Sequence, residues 1–305
     1  LLAEYCTPGR SEHSFWNFVR FAAGWNYRCQ EEGQKYWLTE DIHKPWCDWA
    51  EAIVLQWKAD RRSGRSSRRV KVIDCVPRGF GKSNMITKCI PIWSMLDEPN
   101  MSWYIGSETH PKAKSFLEPI KTMLDGSDPF SRFTWLYGNW CNPDRKWNQE
   151  EITTAYRTST GVTEPSIGTF GVETGITSKH PLGLMYDDPI SDEKLREGGI
   201  WLTLAIRSLD SIYPALRPDS LIWLIGTRYE DRDPIGYMLE NEGVASWFGH
   251  EPIERYKPGA WHVHYLQARD RRRNEQFEKG EPTVPVLYDN EALEQDEHQN
   301  PQRYA

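Results

Sequence analysis

No run of about 18 apolar residues occurs in this 305-residue chain, so no segment is long and apolar enough to cross a membrane as a helix. The first ten residues, LLAEYCTPGR, carry neither the basic stretch nor the apolar core of a secretory signal, and no initiator Met. That start leads us to expect a fragment or a processed chain. Cysteines stand singly at 6, 29, 47, 75, 89 and 141, with no C-x-x-C and no repeated spacing. The pattern argues against a disulfide framework or a zinc site and for free thiols in a reducing cytosol, with Cys75 and Cys89 as small core residues. Positive charge is in short supply: 37 Lys and Arg face 44 Asp and Glu, a net charge of −7. Such a balance excludes a molecule whose whole surface grips nucleic acid. It confines any contact with DNA to two basic runs, RRSGRSSRR (61–69) and ARDRRR (268–273), each of which also reads as plain solvated surface. Internal repeats are absent.

Core-forming residues are plentiful, at 38% hydrophobic and 13% aromatic. Residues 11–57 carry apolar side chains at helical spacing, and Pro45 suits a first helical turn. VKVIDCV (70–76) is a β-branched run of the kind that makes a buried strand. SNMITKCIPIWSML then reads as a helix that Pro91 should kink. MSWYIGS (101–107) predicts a second strand, and HPKAKSFLEPIKTMLDG a second helix closed by Gly126. EEITTAYRT and PSIGTFGVE alternate like a strand pair. LGLMYDDP (182–189) and DSLIWLIGTRYEDRD (219–233) are two further strands. Strands alternating with helices predict an α/β domain with a largely parallel sheet. In such sheets ligands bind beyond the carboxyl ends of strands, so the loops at 77–83, 187–188 and 226–228 are expected on one edge.

The segment DCVPRGFGKSNM (74–85) ends in Gly81-Lys82-Ser83, the close of a phosphate-binding loop. The usual G-x-x-x-x-G-K-[ST] spacing would put its first glycine at 76, where Val76 stands. Strand before and helix after are the context such a loop needs, and both are expected here. Gly79 and Gly81 allow the backbone turns that aim N–H groups inward at a phosphate. Lys82 would reach the β- and γ-phosphates of ATP, and the Ser83 hydroxyl would hold Mg²⁺. Asp187, at the end of a buried strand, suits a second magnesium ligand, and Asp188 could orient and activate the attacking water. The alternative is that the pair caps a turn begun by Asp188-Pro189. Thr227 could sense the γ-phosphate or the carboxylate pair, or simply end its strand.

From about residue 40 onward the sequence resembles the large terminase subunits of tailed bacteriophages, motors that pump DNA into procapsids. PRGFGKS resembles their ATPase loop, YDDP their Walker B and catalytic acid, and GTRYEDRDPIG their coupling motif. DIHKPWCDWA resembles the adenine-side segment of some members, and VPVLYDNEALEQDEHQNPQRYA the linker before their nuclease domain. The resemblance implies a RecA-like P-loop ATPase fold. Nucleotide contacts would come from Pro77, Arg78, Gly79, Phe80, Gly81, Lys82, Ser83, Asn84, Trp46 and Thr227, metal contacts from Ser83 and Asp187, and catalysis from Asp188, Lys82 and Arg78. Arg78 would place a guanidinium near the γ-phosphate; the bland alternative is a surface arginine paired with an acid. Trp46 or His43 could pack on adenine, though Trp46 also reads as a core residue. A second cation would come from a neighbouring subunit, with Lys179, Arg157 and Arg228 as candidates. His262 and His264, on one face of a strand in WHVHY, could be a metal pair but lack nearby partners.

The resemblance also implies a core at about 60–234, and a small lid formed by about 235–305 with part of the N-terminal helices. The nuclease domain is expected to be absent, so the chain should hydrolyse ATP without cutting DNA. Implied partners are double-stranded DNA, the portal protein, the small terminase subunit and copies of itself in a pentameric ring on the procapsid. The place of work would be the host cytoplasm. Two rivals remain at this level. A P-loop helicase or translocase would need a second RecA-like domain that 305 residues do not offer. A non-catalytic nucleotide-binding module would bind ATP without turning it over.

Overall fold

The computed structural model describes residues 1–31, 38–65, 68–176, 179–197, 199–228, 233–250, 256–270, 281–282 and 290–299. An eight-stranded sheet runs through its middle. In chain order the strands are β1 (Val70–Cys75), β2 (Trp103–Ser107), β3 (Glu151–Ile152), β4 (Ile167–Gly171), β5 (Gly183–Asp187), β6 (Leu221–Gly226), β7 (Val244–Gly249) and β8 (Pro258–Tyr265). Across the sheet they lie in the order β3-β4-β2-β5-β6-β1-β8-β7. Every pairing is parallel except that of β3 with β4. A separate two-stranded ribbon pairs β9 (Arg269–Asp270) with β10 (Glu281–Pro282).

The helices are α1 (Leu2–Tyr5), α2 (Ser14–Asn17), α3 (Trp25–Glu31), α4 (His43–Arg62), α5 (Lys88–Met95), α6 (His110–Asp125), α7 (Phe133–Tyr137), α8 (Asp192–Arg196), α9 (Gly199–Ile212), α10 (Pro234–Glu242) and α11 (Asn290–Gln299). They cover both faces of the sheet, which is why β2, β4, β5 and β6 are buried along their whole length. Side chains alternate between two cores. On one face Trp46, Trp57, Trp93, Trp103 and Trp223 pack with Val72 and Met185. On the other, Ile73, Tyr186 and Leu224 meet Leu209 of α9 and Met238 and Leu239 of α10.

Local sequence explains the entries and exits of the elements near the loops. Ahead of α5 the chain makes a π-helical turn over Ser83–Thr87, where Lys88 N–H reaches back to the Ser83 carbonyl. Pro91 then sits inside the helix, and the widened turn ends at Thr87, whose carbonyl the proline ring cannot bond. At α6 the Thr109 side chain accepts from Lys112 N–H, Pro111 occupies the first turn, and Gly126 at φ 84° ends the helix as the sequence predicted.

Two expectations change. The segment from 235 to 265, expected in a lid, extends the main sheet instead. β8 pairs with β1 from Lys71 to Cys75, and β7 pairs with β8. The alternating WHVHY pattern of β8 buries Trp261 and Val263 against β1, which an independent lid could not do. The rest of the expected lid lies mostly outside the described residues. Nor is the first basic run a free patch. Arg61 pairs with Glu98 and Asp219, Arg62 with Asp97 and Glu98, and Arg65 with Asp60. The second run is described only to Asp270, so Arg271, Arg272 and Arg273 lie outside the described residues. Among the described residues no helix is long and apolar enough to cross a membrane.

Candidate functional site

Strand register sets the site. Cys75 pairs with Gly226, Ile225 with Asp187, and Asp187 with Ser107. The carboxyl ends of β1, β6, β5 and β2 are therefore level, and the loops that follow them share one edge as the sequence predicted. After β1 the chain turns at Gly79 and Gly81, whose φ values of 83° and 78° are reached without strain only by glycine. The loop is held from beneath by Phe80, which is buried, while Arg78 and Gly79 stand exposed at its lip. Met85 N–H bonds to the Gly81 carbonyl at 2.9 Å, so the helical turn begins at once behind Lys82.

Lys82 is buried and stands between two partners. Its Nζ donates to Thr227 Oγ1 at 2.8 Å and lies 3.6 Å from Asp188 Oδ1. Thr227 in turn donates to the Val76 carbonyl at 3.1 Å, tying the end of β6 to the start of the loop. Asp187 is fully buried and accepts from Thr87 Oγ1. Burial, and then the charge of Asp188, raise its carboxyl to about 6; Lys82, Thr87 and Ser83 pull the other way. Asp188 is one of two non-glycine residues with positive φ among those described, at 44°. Strand neighbours hold it there: its N–H donates to the Ile225 carbonyl at 2.8 Å, and its carbonyl accepts from Glu108 N–H at 3.2 Å. Backbone strain of this kind persists only where the surroundings over-determine it.

One oxygen of each carboxylate, Asp187 Oδ1 and Asp188 Oδ1, is buried without a hydrogen-bond partner. Buried polar atoms are almost always paired, so two such oxygens on adjacent residues leave acceptors that a ligand could use. The Ser83 hydroxyl and the Asp187 carboxyl together offer the oxygen donors a hard divalent cation takes. Among the described residues no group of three or more His, Cys, Asp or Glu gathers, so such a cation would complete its shell with water and ligand oxygens.

Other sequence candidates fall elsewhere. Trp46, expected against a base, is 0% exposed; its indole N–H donates to Asp74 Oδ1 at 2.8 Å, and its ring packs 4.9 Å from that of His264. It is a core residue and cannot stack on a nucleobase. Asn84 turns its side chain away along its own helix to accept from Lys88 Nζ at 2.6 Å. Arg157 is buried, donating to the carbonyls of Met101 and Pro165, which removes it as a cation for a neighbour's site. Lys179 stands 3.9 Å from Glu151, on the strand farthest from the loop at that edge of the sheet. Arg228 is close to the site but held by Asp233 and the Tyr256 hydroxyl. His264 bonds to Asp74, and His262 to Ser246, so the two histidines share no ligand.

Two groups at the site escaped the sequence reading, and a third, His43, offered there for packing on adenine, is 1% exposed and has another role. Lys112, on the first turn of α6, brings its Nζ to 4.0 Å from Asp188 Oδ2. Thr87 was hidden inside an apolar helix. His43 supports the loop: Thr39 N–H donates to its Nδ1 at 2.9 Å, and the ring hydrogen-bonds to the backbone of Phe80. Burial lowers its pKa to about 4, keeping the ring neutral so that one nitrogen accepts and the other donates. Beneath it lies Asp74 of β1, 0% exposed, which accepts from Trp46, Trp223 and His264. A capping Thr109 three residues before Lys112 was a signal that α6 begins at the sheet edge; nothing in the sequence signals the other contacts. Compared with known proteins, the chain matches no protein-family model and no curated protein.

Proposed function

We propose that this chain binds ATP with Mg²⁺ and hydrolyses it, as the ATPase domain of a DNA-packaging motor of the large-terminase kind. One observation carries the hydrolytic part. Lys82, Thr227, Asp187 and Asp188 come from three separate segments, yet they converge on one strand edge around two buried carboxylate oxygens that accept no hydrogen bond. The motor part rests on the order and spacing of the sequence motifs. The position of β6 between β1 and β5 supports a RecA-like reading, because it sets Thr227 between the loop and the carboxylates.

Each residue has a task that its chemistry suits. The glycine-rich turn offers backbone N–H groups to phosphate oxygens. Lys82 exchanges Asp188 for those oxygens, since a phosphate carries more charge than a carboxylate. Ser83 and Asp187 hold the cation, which when bound neutralises charge on the phosphate oxygens. Asp188, released by Lys82, takes the proton of the attacking water. Thr227 keeps contact with both Lys82 and the Val76 carbonyl, so a movement of Lys82 is felt at the end of β6. From there the chain leads to α10, whose first turn is capped by the Asp233 carboxylate accepting from Gly236 N–H at 2.8 Å. Implied partners are double-stranded DNA, the portal protein, the small terminase subunit and a pentameric ring of this chain.

Phosphate release by the purified chain with Mg²⁺ and ATP, with and without duplex DNA, tests the reading. Turnover is expected, and Lys82→Ala should abolish it. Release at an unchanged rate in Lys82→Ala would remove the ATPase assignment; binding of ATP with no release would favour the non-catalytic module.

A further inference from the structure

We infer that Lys112 is a catalytic cation of the same subunit, contacting the terminal phosphate from the side opposite Lys82. The inference rests on the ATPase reading and deepens it. Three observations support it. Lys112 Nζ lies 4.0 Å from Asp188 Oδ2 while Lys82 Nζ lies 3.6 Å from Asp188 Oδ1, so the two ammonium groups flank one carboxylate. At 4.0 Å Lys112 makes no hydrogen bond to that carboxylate, and its ammonium has no hydrogen-bond acceptor among the described residues. Its side chain is 35% exposed, against 7% for Lys82, so it can swing without breaking a core contact.

The placement is fixed by the fold. β2 ends at Ser107 in register with Asp187. Glu108 N–H then holds the Asp188 carbonyl, and Thr109 caps α6. Lys112 is therefore carried on a rigid helix start, two short connections from the strained Asp188. The residues that the sequence offered as a second cation do not compete. Arg157 bonds to two buried carbonyls, Lys179 faces Glu151, and Arg228 is held by Asp233. In phosphoryl transfer, negative charge spreads over the terminal oxygens, and a preset cation beside them lowers the barrier. A lysine does this as a point charge, without the two-pronged geometry of arginine.

The experiment compares Lys112→Met and Lys112→Arg with the unsubstituted chain. Three quantities are read: phosphate release, affinity for a non-hydrolysable triphosphate analogue, and affinity for ADP. Lys112→Met should slow release about 100-fold, the order seen when one charge-stabilising donor is lost. It should weaken the triphosphate analogue several-fold more than ADP, because only the former carries the terminal phosphate. Lys112→Arg should recover part of the rate. Specific activity should not change with protein concentration, since the cation acts within one chain. Undiminished release and an unchanged triphosphate-to-ADP ratio in Lys112→Met overturn the inference while leaving the ATPase reading intact. Equal loss of both affinities overturns it too, because that outcome marks general damage to the pocket. If the unsubstituted chain neither hydrolyses nor binds ATP, the parent reading falls and the inference with it.

Discussion

At the scale of single residues, Asp188 and Lys82 divide their labour in a way that substitution can separate. Asp188→Asn keeps the volume and the left-handed backbone, which Asn tolerates, but removes the base. Hydrolysis should fall 10²- to 10⁴-fold while Mg²⁺-ATP still binds. Lys82→Ala should lose binding as well as turnover; equilibrium binding of a fluorescent ATP analogue distinguishes the two. His43 gives a second test. Its pKa is lowered from 6.5 to about 4 by burial, so the unfolded chain binds a proton that the folded chain refuses. Stability from this neutral ring is fully present above 6.5 and is lost as pH falls through 6.5 towards 4. A shift of that size is worth about 3 kcal/mol at the acid end. His43→Gln retains an acceptor and a donor and has no proton to gain, so its melting temperature should fall less steeply between pH 6.5 and 4. An identical pH slope in the variant would remove His43 as the source.

Elements were more legible than contacts. The glycines, the Lys-Ser pair and the Asp-Asp pair could be placed from sequence because strand-end loops have a local signature: a β-branched run, then residues with special backbone needs. Gly126 announced the end of α6 for the same reason. Lys112 could not be placed and His43 was given the wrong task, since their roles depend on which helix start falls beside which strand end, and that is a matter of register. Trp46 carried two readings, against a base or in the core, because a tryptophan in such a segment has the same sequence appearance either way; the core reading holds. What decided it was Asp74, a carboxylate in the middle of β1 that draws in one indole from α4, a second from β6 and an imidazole from β8. Asp74→Ala would leave three buried donors without an acceptor. It should cost roughly 3 kcal/mol or more, since each orphaned donor carries about 1–3 kcal/mol. Denaturant unfolding measures this; a loss below about 1 kcal/mol would mean that water replaces the carboxylate.

For the molecule as a whole, charge is the informative quantity. The run at 61–69 looks basic in sequence, but in the fold three of its described arginines, Arg61, Arg62 and Arg65, are matched by Asp60, Asp97, Glu98 and Asp219, and Arg69 donates to the carbonyls of Leu216 and Arg217. Replacing Arg61 and Arg62 with Gln should lower the melting temperature and leave duplex DNA affinity and its salt dependence unchanged. A drop in the slope of log affinity against log salt, by about one unit per charge removed, would show instead that these arginines meet phosphates.

The seat of β1 between β6 and β8 also bears on how the chain comes to be made. β1 leads into the glycine-rich loop, yet both of its partners are translated far later: β6 begins at Leu221 and β8 ends at Tyr265. Until residue 265 has left the ribosome, at least one edge of an apolar strand is bare, with its N–H and C=O groups open to any other extended segment. Assembly of the site must therefore wait until β8 has been made, and be slow, as expected where pairings close long loops. A chain cut before β8 should aggregate during synthesis, however well its motifs are preserved.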